Sequence, residues 1–395
     1  SCDDPSARID YIDLEHLKLN ESVEQEWSRP QTEGAMMLNS YQMALGQPIY
    51  IDGMFLGCEF PVTDNQILSD RTAQIKYYSG REFEDLEKTT DGKFVTWQTV
   101  VGAARSTDQS VIQTDFFEYI DEIATRTDFR KQYNSWYDHM MNITAENIEG
   151  SFYEIEKGLS QYGIEPLDSY VVDDGWNNYD ADFWSFNSKF PNELYDSKEQ
   201  AQNFGSNFGL WLGPRGGYNY NYKFGKQMEA AGTGGFNPSS GDICVGDHNY
   251  VENITNLFLD YMNRFDINYW KIDGNVSHPC PVKTHGHVTG GENGMYMLTE
   301  TWESWIDIFA KMREFNPDVF INLTCYVNPS PWFLQWVNTV WLQNSQDVGF
   351  TGGSVDGSMM DAMITYRDGR YYDFYESREL QFPAANIYNY KRKYK

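Results

Sequence analysis

The spacing of apolar and polar positions changes character along the chain. Up to residue 115, apolar residues alternate with polar ones in short runs that Gly and Asp interrupt, as in QPIYIDGMFLGCEFPV and KFVTWQTVVGAA. Period-two alternation with β-branched and aromatic residues is typical of strands. Residues 1–115 are therefore predicted to be β-rich and to form part of a β-sandwich. Helical spacing in FFEYIDEIATRTDFR predicts a connecting helix over 116–131.

From residue 132 onward, short apolar runs alternate with amphipathic helical patterns. The seven strand candidates are QYNSWYD, DSYVVDD, FGLWLGP, INYWKIDG, VFINLTC, NTVWLQNS and FPAANIYN. Repeated strand–helix units indicate a parallel sheet, and so many of them without a Gly-rich phosphate turn favour a (β/α)8 TIM barrel over 132–395. Since no eighth strand is visible, we expect this barrel to be truncated and the chain to be a piece of a longer protein.

The charge balance argues against several classes of partner. The chain has 58 acidic and 30 basic side chains, a net charge of −28. Such a surface repels phosphate backbones and anionic membranes, so no nucleic acid partner is expected. A membrane span would need a run of about 18 apolar residues, and the sequence contains none, so no span is expected. The five cysteines are few and widely spaced and imply no disulfide framework. We expect an extracellular or cell-surface bacterial protein, and the sequence leaves homo-oligomerisation open.

Carboxylates follow several of the predicted strands. In a barrel of this kind, active sites lie at the carboxyl ends of the strands. The second strand ends in Asp173 and Asp174, the fourth in Lys271 and Asp273, and the sixth leads to Asp347. Lys271 and Asp273 are two positions apart and should share a face of their strand. An ammonium beside a carboxylate keeps it ionised, which is what a nucleophile needs.

Two opposed carboxyl groups are the machinery of glycoside hydrolysis. Asp273 would be the nucleophile, and Asp347, with its pKa raised by a neighbouring anion, the general acid. A separation of about 5 Å gives retention and a wider one gives inversion. Spacing in sequence leaves that distance open, and Asp356 and Asp361 are rival acids.

The loop after the fourth strand contains His278, Cys280, His285 and His287. These residue types bind zinc, but their spacing matches no closed structural-zinc pattern. We therefore predict a substrate-facing loop without a metal. The segment GPRGG at 213–217 lacks the Lys-Ser/Thr of a phosphate loop and predicts a tight turn that presents Arg215.

The motifs YVVDDGW at 170–176 and YWKIDGN at 269–275, in this order on barrel strands, resemble glycoside hydrolase family 36, which contains α-galactosidases and α-N-acetylgalactosaminidases. NSWYD at 134–138 resembles the family's first strand. The resemblance implies a retaining exo-α-glycosidase without a cofactor, acting on terminal α-linked galactose or N-acetylgalactosamine. It implies Asp273 as nucleophile and Asp347 as acid/base, although the family's Ser-Asp reads Gln-Asp here.

The same resemblance implies the sugar-binding residues. Lys271 would contact sugar hydroxyls, and Asp173 and Asp174 would form an acidic pair of which at least one holds the 4- and 6-hydroxyls. Further contacts are expected from Trp136, Trp176, Trp211, Cys325 and Arg367, with Asp368 as another pocket candidate. Two other functions stay open, namely a carbohydrate-binding protein that has lost catalysis and an α-glucan-acting barrel.

Overall fold

The computed structural model describes residues 38–68, 72–275, 278–345 and 359–388. The chain divides into two compact units, one of Ser1–Thr125 with Cys325–Asn389 and the other of Arg126–Thr324 with Tyr390–Lys395. The predicted barrel region therefore contributes to both units, and its last part, from Cys325 onward, groups with the N-terminal β-rich region.

The N-terminal part of the first unit is β-rich, as its alternating pattern predicts. After helix α1 (Ser40–Ala44) come strands β1 (Ile49–Ile51), β2 (Met54–Cys58), β3 (Asp64–Ile67), β4 (Ala73–Lys76) and β5 (Thr99–Ala103). Strands β1, β2 and β5 form an antiparallel sheet in that order, and β3 pairs antiparallel with β4. Gly53 has a φ of 78° in the turn between β1 and β2, a conformation that glycine adopts without strain.

Helix α2 (Gln109–Ile123) follows these strands where the connecting helix was predicted, but it ends at Ile123 and not at 131, because Ala124 already has an extended backbone. It begins before the predicted start at 116, because the Asp108 side chain accepts a hydrogen bond from the backbone N–H of Ser110 and caps the helix there. The buried face of the helix consists of Ile112, Phe116 and Ile120. Phe116 packs edge-on against Tyr50 and Phe55 of the antiparallel sheet.

The second unit contains five parallel strands, all of which the sequence predicts. They are β6 (Gln132–Asn134), β7 (Ser169–Val172), β8 (Asn207–Leu212), β11 (Ile267–Ile272) and β12 (Phe320–Leu323), which lie side by side in this order. Between β8 and β11 the short strands β9 (Phe236–Asn237) and β10 (Asp242–Ile243) form a separate antiparallel pair. The parallel order brings the carboxyl ends of five strands to one edge.

Helices follow most of these strands, as in repeated strand–helix units. Helix α3 (Trp136–His139) is short, and the longer ones are α4 (Ala145–Gln161), α5 (Tyr195–Asn203), α6 (Asn221–Ala231), α7 (His248–Phe265) and α8 (Met295–Phe315). Helix α4 begins with a capping box, in which the side chains of Thr144 and Asn147 each bond to the other's backbone N–H. The amphipathic helical patterns that the sequence shows between its strands thus correspond to helices in the structure.

Strand β11 shows how the sheet separates its two faces. Trp270 packs edge-on against Phe258 of α7, with ring centroids 4.7 Å apart. Its neighbour Tyr269 stacks on Phe320 on the opposite side, as expected for successive side chains of a strand. A Cβ atom at Gly209 in β8 would lie 2.9 Å from the Tyr269 ring. Glycine at this position therefore leaves the space that Tyr269 fills.

The C-terminal part of the first unit contains β13 (Thr339–Trp341), helix α9 (Met359–Tyr372) and β14 (Ile387–Tyr388). Strands β13 and β14 pair in parallel, and both were predicted from the sequence. With them, all seven strand candidates of the predicted barrel form strands. The α/β class is confirmed, whereas the closed (β/α)8 barrel and the N-terminal sandwich stay predictions.

None of the described helices combines the length and the apolar character that a membrane crossing requires.

Candidate active site

The candidate site lies at the carboxyl edge of the parallel sheet in the second unit. The β11 strand pairs with β8 and β12, so that Lys271 is level with Trp211 and Asn322. Just beyond the strands, the Asp273 N–H donates to the Leu212 carbonyl at 2.9 Å, and the Thr324 N–H donates to the Ile272 carbonyl at 2.9 Å. The backbone positions of Asp273 and Thr324 are therefore fixed by the sheet itself.

The Asp273 carboxylate accepts hydrogen bonds from three side chains. Trp211 Nε1 donates to Oδ2 at 3.1 Å, the Tyr218 hydroxyl donates to Oδ1 at 2.9 Å, and the Thr324 hydroxyl also donates to Oδ1. Burial alone would raise the pKa of Asp273, but the Lys271 charge and these three donors outweigh it and hold the pKa below its ordinary value. The carboxylate is thus ionised and held in one orientation.

Lys271 forms a buried ion pair with Asp173. Its Nζ lies 2.9 Å from Asp173 Oδ2, which also accepts a hydrogen bond of 2.7 Å from Asn134 Nδ2. Burial raises the pKa of Asp173, and the Lys271 charge and its hydrogen bonds offset only part of that effect. The sequence predicted that Lys271 and Asp273 share a face. In the structure the direct ionic partner of Lys271 is Asp173, and Lys271 acts on Asp273 through its charge.

Asp174 lies beside this ion pair and has a different environment. Its Oδ1 accepts a hydrogen bond of 2.8 Å from the Tyr179 hydroxyl. Burial, reinforced by the negative charges of Asp173 and Asp273, raises the pKa of Asp174 to about 7. The chain turns sharply after it, at Gly175 with a φ of 118°, where a Cβ atom would lie 2.6 Å from the Met141 carbonyl oxygen. Three carboxyl groups with unequal pKa values therefore belong to one site.

The three tryptophans predicted to contact a sugar differ in position. Trp136 is half-buried at the start of α3. Trp211 is buried and donates to Asp273, so it positions the carboxylate. Trp176 is 0% exposed, donates to the Trp211 carbonyl at 2.9 Å and packs against Trp184 and Phe186. The structure thus shows Trp176 holding the backbone at Trp211, and its predicted sugar contact stays a prediction.

Other predicted site residues belong to the first unit. Cys325 is buried. Arg367 is half-buried on α9, donates to the Ser345 hydroxyl at 3.1 Å and lies over the Trp341 ring at 5.1 Å, while Asp361 and Asp368 are exposed on the same helix. Asp347 and Asp356 lie outside the described residues. The identity of the acid/base therefore stays a prediction.

The turn predicted at 213–217 forms, with the Gly216 N–H donating to the Gly213 carbonyl at 2.8 Å. Its half-buried Arg215 forms an ion pair with the buried Asp242, which anchors the turn to β10. The same loop then supplies Tyr218.

The donors that the sequence analysis missed are Tyr218, Thr324, Asn134 and Tyr179. Thr324 and Asn134 follow or end predicted strands, so the rule that pointed to Asp273 could have found them. Tyr218 and Tyr179 lie in loops rich in Tyr and Asn, where sequence gives no indication of which hydroxyl turns toward a carboxylate.

Comparison with solved structures bears on the fold. The chain aligns with the GH36 α-galactosidase AgaA of Geobacillus stearothermophilus with a TM-score of 0.55 and 14% identity, over 87% of this chain and 46% of that one. The described part of this chain therefore shares its fold with part of that GH36 α-galactosidase. The α-galactosidase from Lactobacillus brevis aligns with a TM-score of 0.53 and 12% identity, over 83% of this chain and 44% of that one. The family 36 resemblance of the two motifs is thus confirmed at the level of the fold.

The chain spans less than half the length of these two structures. No protein-family model matches it, and no curated protein sequence matches it.

Proposed function

We propose that this chain carries the catalytic part of a retaining exo-α-glycosidase that releases terminal α-linked galactose or N-acetylgalactosamine, with Asp273 as the nucleophile. The observation that carries the proposal is the Asp273 carboxylate, which has a lowered pKa and accepts hydrogen bonds from Trp211, Tyr218 and Thr324. An ionised, oriented carboxylate at the end of a sheet is suited to attack an anomeric carbon.

The other charged groups fit the recognition of a neutral sugar. Asp173 and Lys271 present an acceptor and a donor fixed to each other, and Asp174 adds a second carboxyl group beside them. Hydroxyl groups of a sugar can donate to such carboxylates and accept from the ammonium. The two structures that share this fold are α-galactosidases, which supports galactose as the first sugar to test.

The reaction would proceed in two steps. Asp273 attacks the anomeric carbon while an acid protonates the leaving oxygen, which gives a glycosyl-aspartate and a free aglycone. The residue that acted as the acid then takes a proton from water, and the water oxygen attacks the anomeric carbon. This step releases the sugar and restores the Asp273 carboxylate. Asp347 is our candidate for the acid and base, on the basis of the family resemblance alone.

Hydrolysis of aryl α-galactoside and aryl α-N-acetylgalactosaminide by the full-length protein, beside Asp273→Asn, tests the proposal. We expect turnover of one substrate and a loss of at least about a thousandfold in the variant, since the amide is a poor nucleophile. The exposed Glu165→Gln variant is the control and should retain wild-type turnover. Absence of turnover of both substrates, with sugar binding retained, would contradict hydrolysis and favour a carbohydrate-binding protein.

A further inference from the structure

A second cluster of reactive side chains lies in the second unit and takes no part in the carboxylate site. It comprises Cys244, Cys280, His285 and His287, whose sulfur and ring nitrogen atoms all lie within 4.8 Å of one another. All four residues are buried. Cys244, which comes from the segment after β10, was not among the sequence candidates, and His278, which was, is not part of the cluster.

The distances within the cluster match those around one metal ion. Cys244 Sγ lies 3.3 Å from His287 Nε2, and Cys280 Sγ lies 3.4 Å from His285 Nδ1. Zinc binds sulfur at about 2.3 Å and imidazole nitrogen at about 2.0 Å in a tetrahedral arrangement, so its sulfur and nitrogen ligands lie about 3.5 Å apart. Both measured pairs are close to that separation.

The surroundings orient the two histidines. His287 Nδ1 lies 2.9 Å from the Val288 carbonyl oxygen, which fixes the proton on Nδ1 and leaves the Nε2 lone pair directed at the cluster. A Cβ atom at Gly235 would lie 2.5 Å from His285 Nε2, so only glycine there admits the ring. A Cβ atom at Gly286, which has a φ of 86°, would lie 2.6 Å from His248 Nδ1. Gly235 thus leaves room for the His285 ring, whereas Gly286 leaves room for the His248 ring, which lies outside the cluster.

We propose that Cys244, Cys280, His285 and His287 bind one Zn²⁺ ion in a closed, tetrahedral, structural site. Two thiolates balance the charge of the ion, so the site is neutral as a whole and can be buried without an uncompensated charge. Four protein ligands leave no open position for water, which distinguishes a structural from a catalytic zinc site.

The two segments that the ion would join explain what the site does. Cys244 precedes α7, and its carbonyl accepts a hydrogen bond from the N–H of Asp247, the capping residue of that helix. Cys280, His285 and His287 belong to the loop that follows β11, the strand that leads to Asp273. The zinc ion would therefore tie the loop after the nucleophile to the start of α7.

Metal content of the full-length, untagged protein tests the proposal without reference to activity. The wild-type protein would be produced with zinc in the growth medium and dialysed against metal-free buffer. Elemental mass spectrometry should then find one zinc ion per chain. Cys244→Ser and His287→Ala should each lower zinc retention at least tenfold. Cys58→Ser, which changes another buried cysteine in the other unit, is the matched control and should retain the full zinc content.

A second measurement keeps the proposal testable if the cluster variants fail to fold. X-ray absorption at the zinc edge of the wild type should show two sulfur and two nitrogen ligands. A wild-type protein that retains no zinc, that holds zinc through oxygen ligands, or whose peptide map shows a Cys244–Cys280 disulfide would overturn the proposal.

Discussion

Asp273 accepts hydrogen bonds from residues of three chain segments, namely Trp211 in β8, Tyr218 in the loop after β8 and Thr324 after β12. Of these donors Tyr218 is the most accessible, with 38% of its side chain exposed. Its hydroxyl can be removed without opening a cavity in the core. It is therefore the best single position for testing whether donors tune the carboxylate.

We predict that Tyr218→Phe moves the acidic limb of the kcat/KM profile to higher pH. Loss of a donor to the carboxylate disfavours its ionised form, so the pKa of Asp273 rises. A hydrogen bond to a charged group contributes about 1.5–3 kcal/mol and one pKa unit corresponds to about 1.4 kcal/mol. Because water can replace this exposed hydroxyl, we expect a shift of about one unit, measured by steady-state kinetics across the acidic range.

Tyr222→Phe is the control for this variant. Tyr222 is exposed like Tyr218 but lies in helix α6, and its ring packs edge-on against Phe236. The kcat/KM profile of Tyr222→Phe should have the same acidic limb as that of the wild type. An unchanged acidic limb in Tyr218→Phe would mean that this hydroxyl does not tune the nucleophile.

Asp174 gives a prediction about stability. The pKa of Asp174 is raised from 3.8 to about 7 in the folded protein, chiefly by burial. The folded state therefore holds a proton that the unfolded state releases at lower pH. The stabilisation from this protonation is fully present below the unfolded pKa and is lost as the pH rises through about 7.

The melting temperature of the wild type should therefore fall more between about pH 5 and about pH 8 than that of Asp174→Asn. The difference corresponds to about 3 kcal/mol, since about two pKa units, each worth about 1.4 kcal/mol, separate the start of the range from the folded pKa. Differential scanning calorimetry at both pH values measures it, with the exposed Glu165→Gln as control. Parallel melting curves of the wild type and Asp174→Asn would contradict the raised pKa.

At the scale of elements, the apolar spacing predicted the strands correctly, but it could not predict contacts between residues that are distant in sequence. The carboxyl ends of β7 and β11 were predicted to carry site residues, namely Asp173, Asp174 and Asp273. In the structure these three residues belong to one network of charges and hydrogen bonds. By contrast, the start of α2 at Gln109 depends on the Asp108 cap, which the apolar spacing alone does not reveal. Trp176 illustrates the same limit, because its burial depends on Tyr261 and on the Trp211 carbonyl, which are far away in sequence.

Cys244 was missed for a related reason. The spacing of His278, Cys280, His285 and His287 in the sequence matches no closed structural-zinc pattern. The fourth candidate ligand comes from a separate segment after β10. Only the fold brings these segments together, so spacing could neither find Cys244 nor exclude His278.

Strand β8 allows a paired test of packing. Gly209→Ala should lower the free energy of unfolding by about 1–3 kcal/mol, because the new Cβ atom would overlap the Tyr269 ring. Gly158→Ala in α4, where nothing lies within 4 Å of the new Cβ atom, should instead raise it by about 0.5–1 kcal/mol. Urea unfolding measures both, and equal effects of the two substitutions would contradict the packing of β8 against Tyr269.

At the scale of the whole molecule, the net charge limits the class of ligand. The net charge of −28 disfavours polyanionic ligands. The chain spans less than half the length of the two α-galactosidases compared with it. The central claim nevertheless rests on one residue within the second unit.

Covalent trapping of the glycosyl-enzyme tests that claim most directly. The full-length protein would be incubated with a fluorinated α-galactosyl inactivator that slows breakdown of the intermediate, and the labelled peptide would be sequenced by mass spectrometry. We predict a single galactosyl ester on Asp273, and no label in Asp273→Asn. A label on another carboxylate, or hydrolysis that proceeds with inversion and leaves no label, would contradict the account.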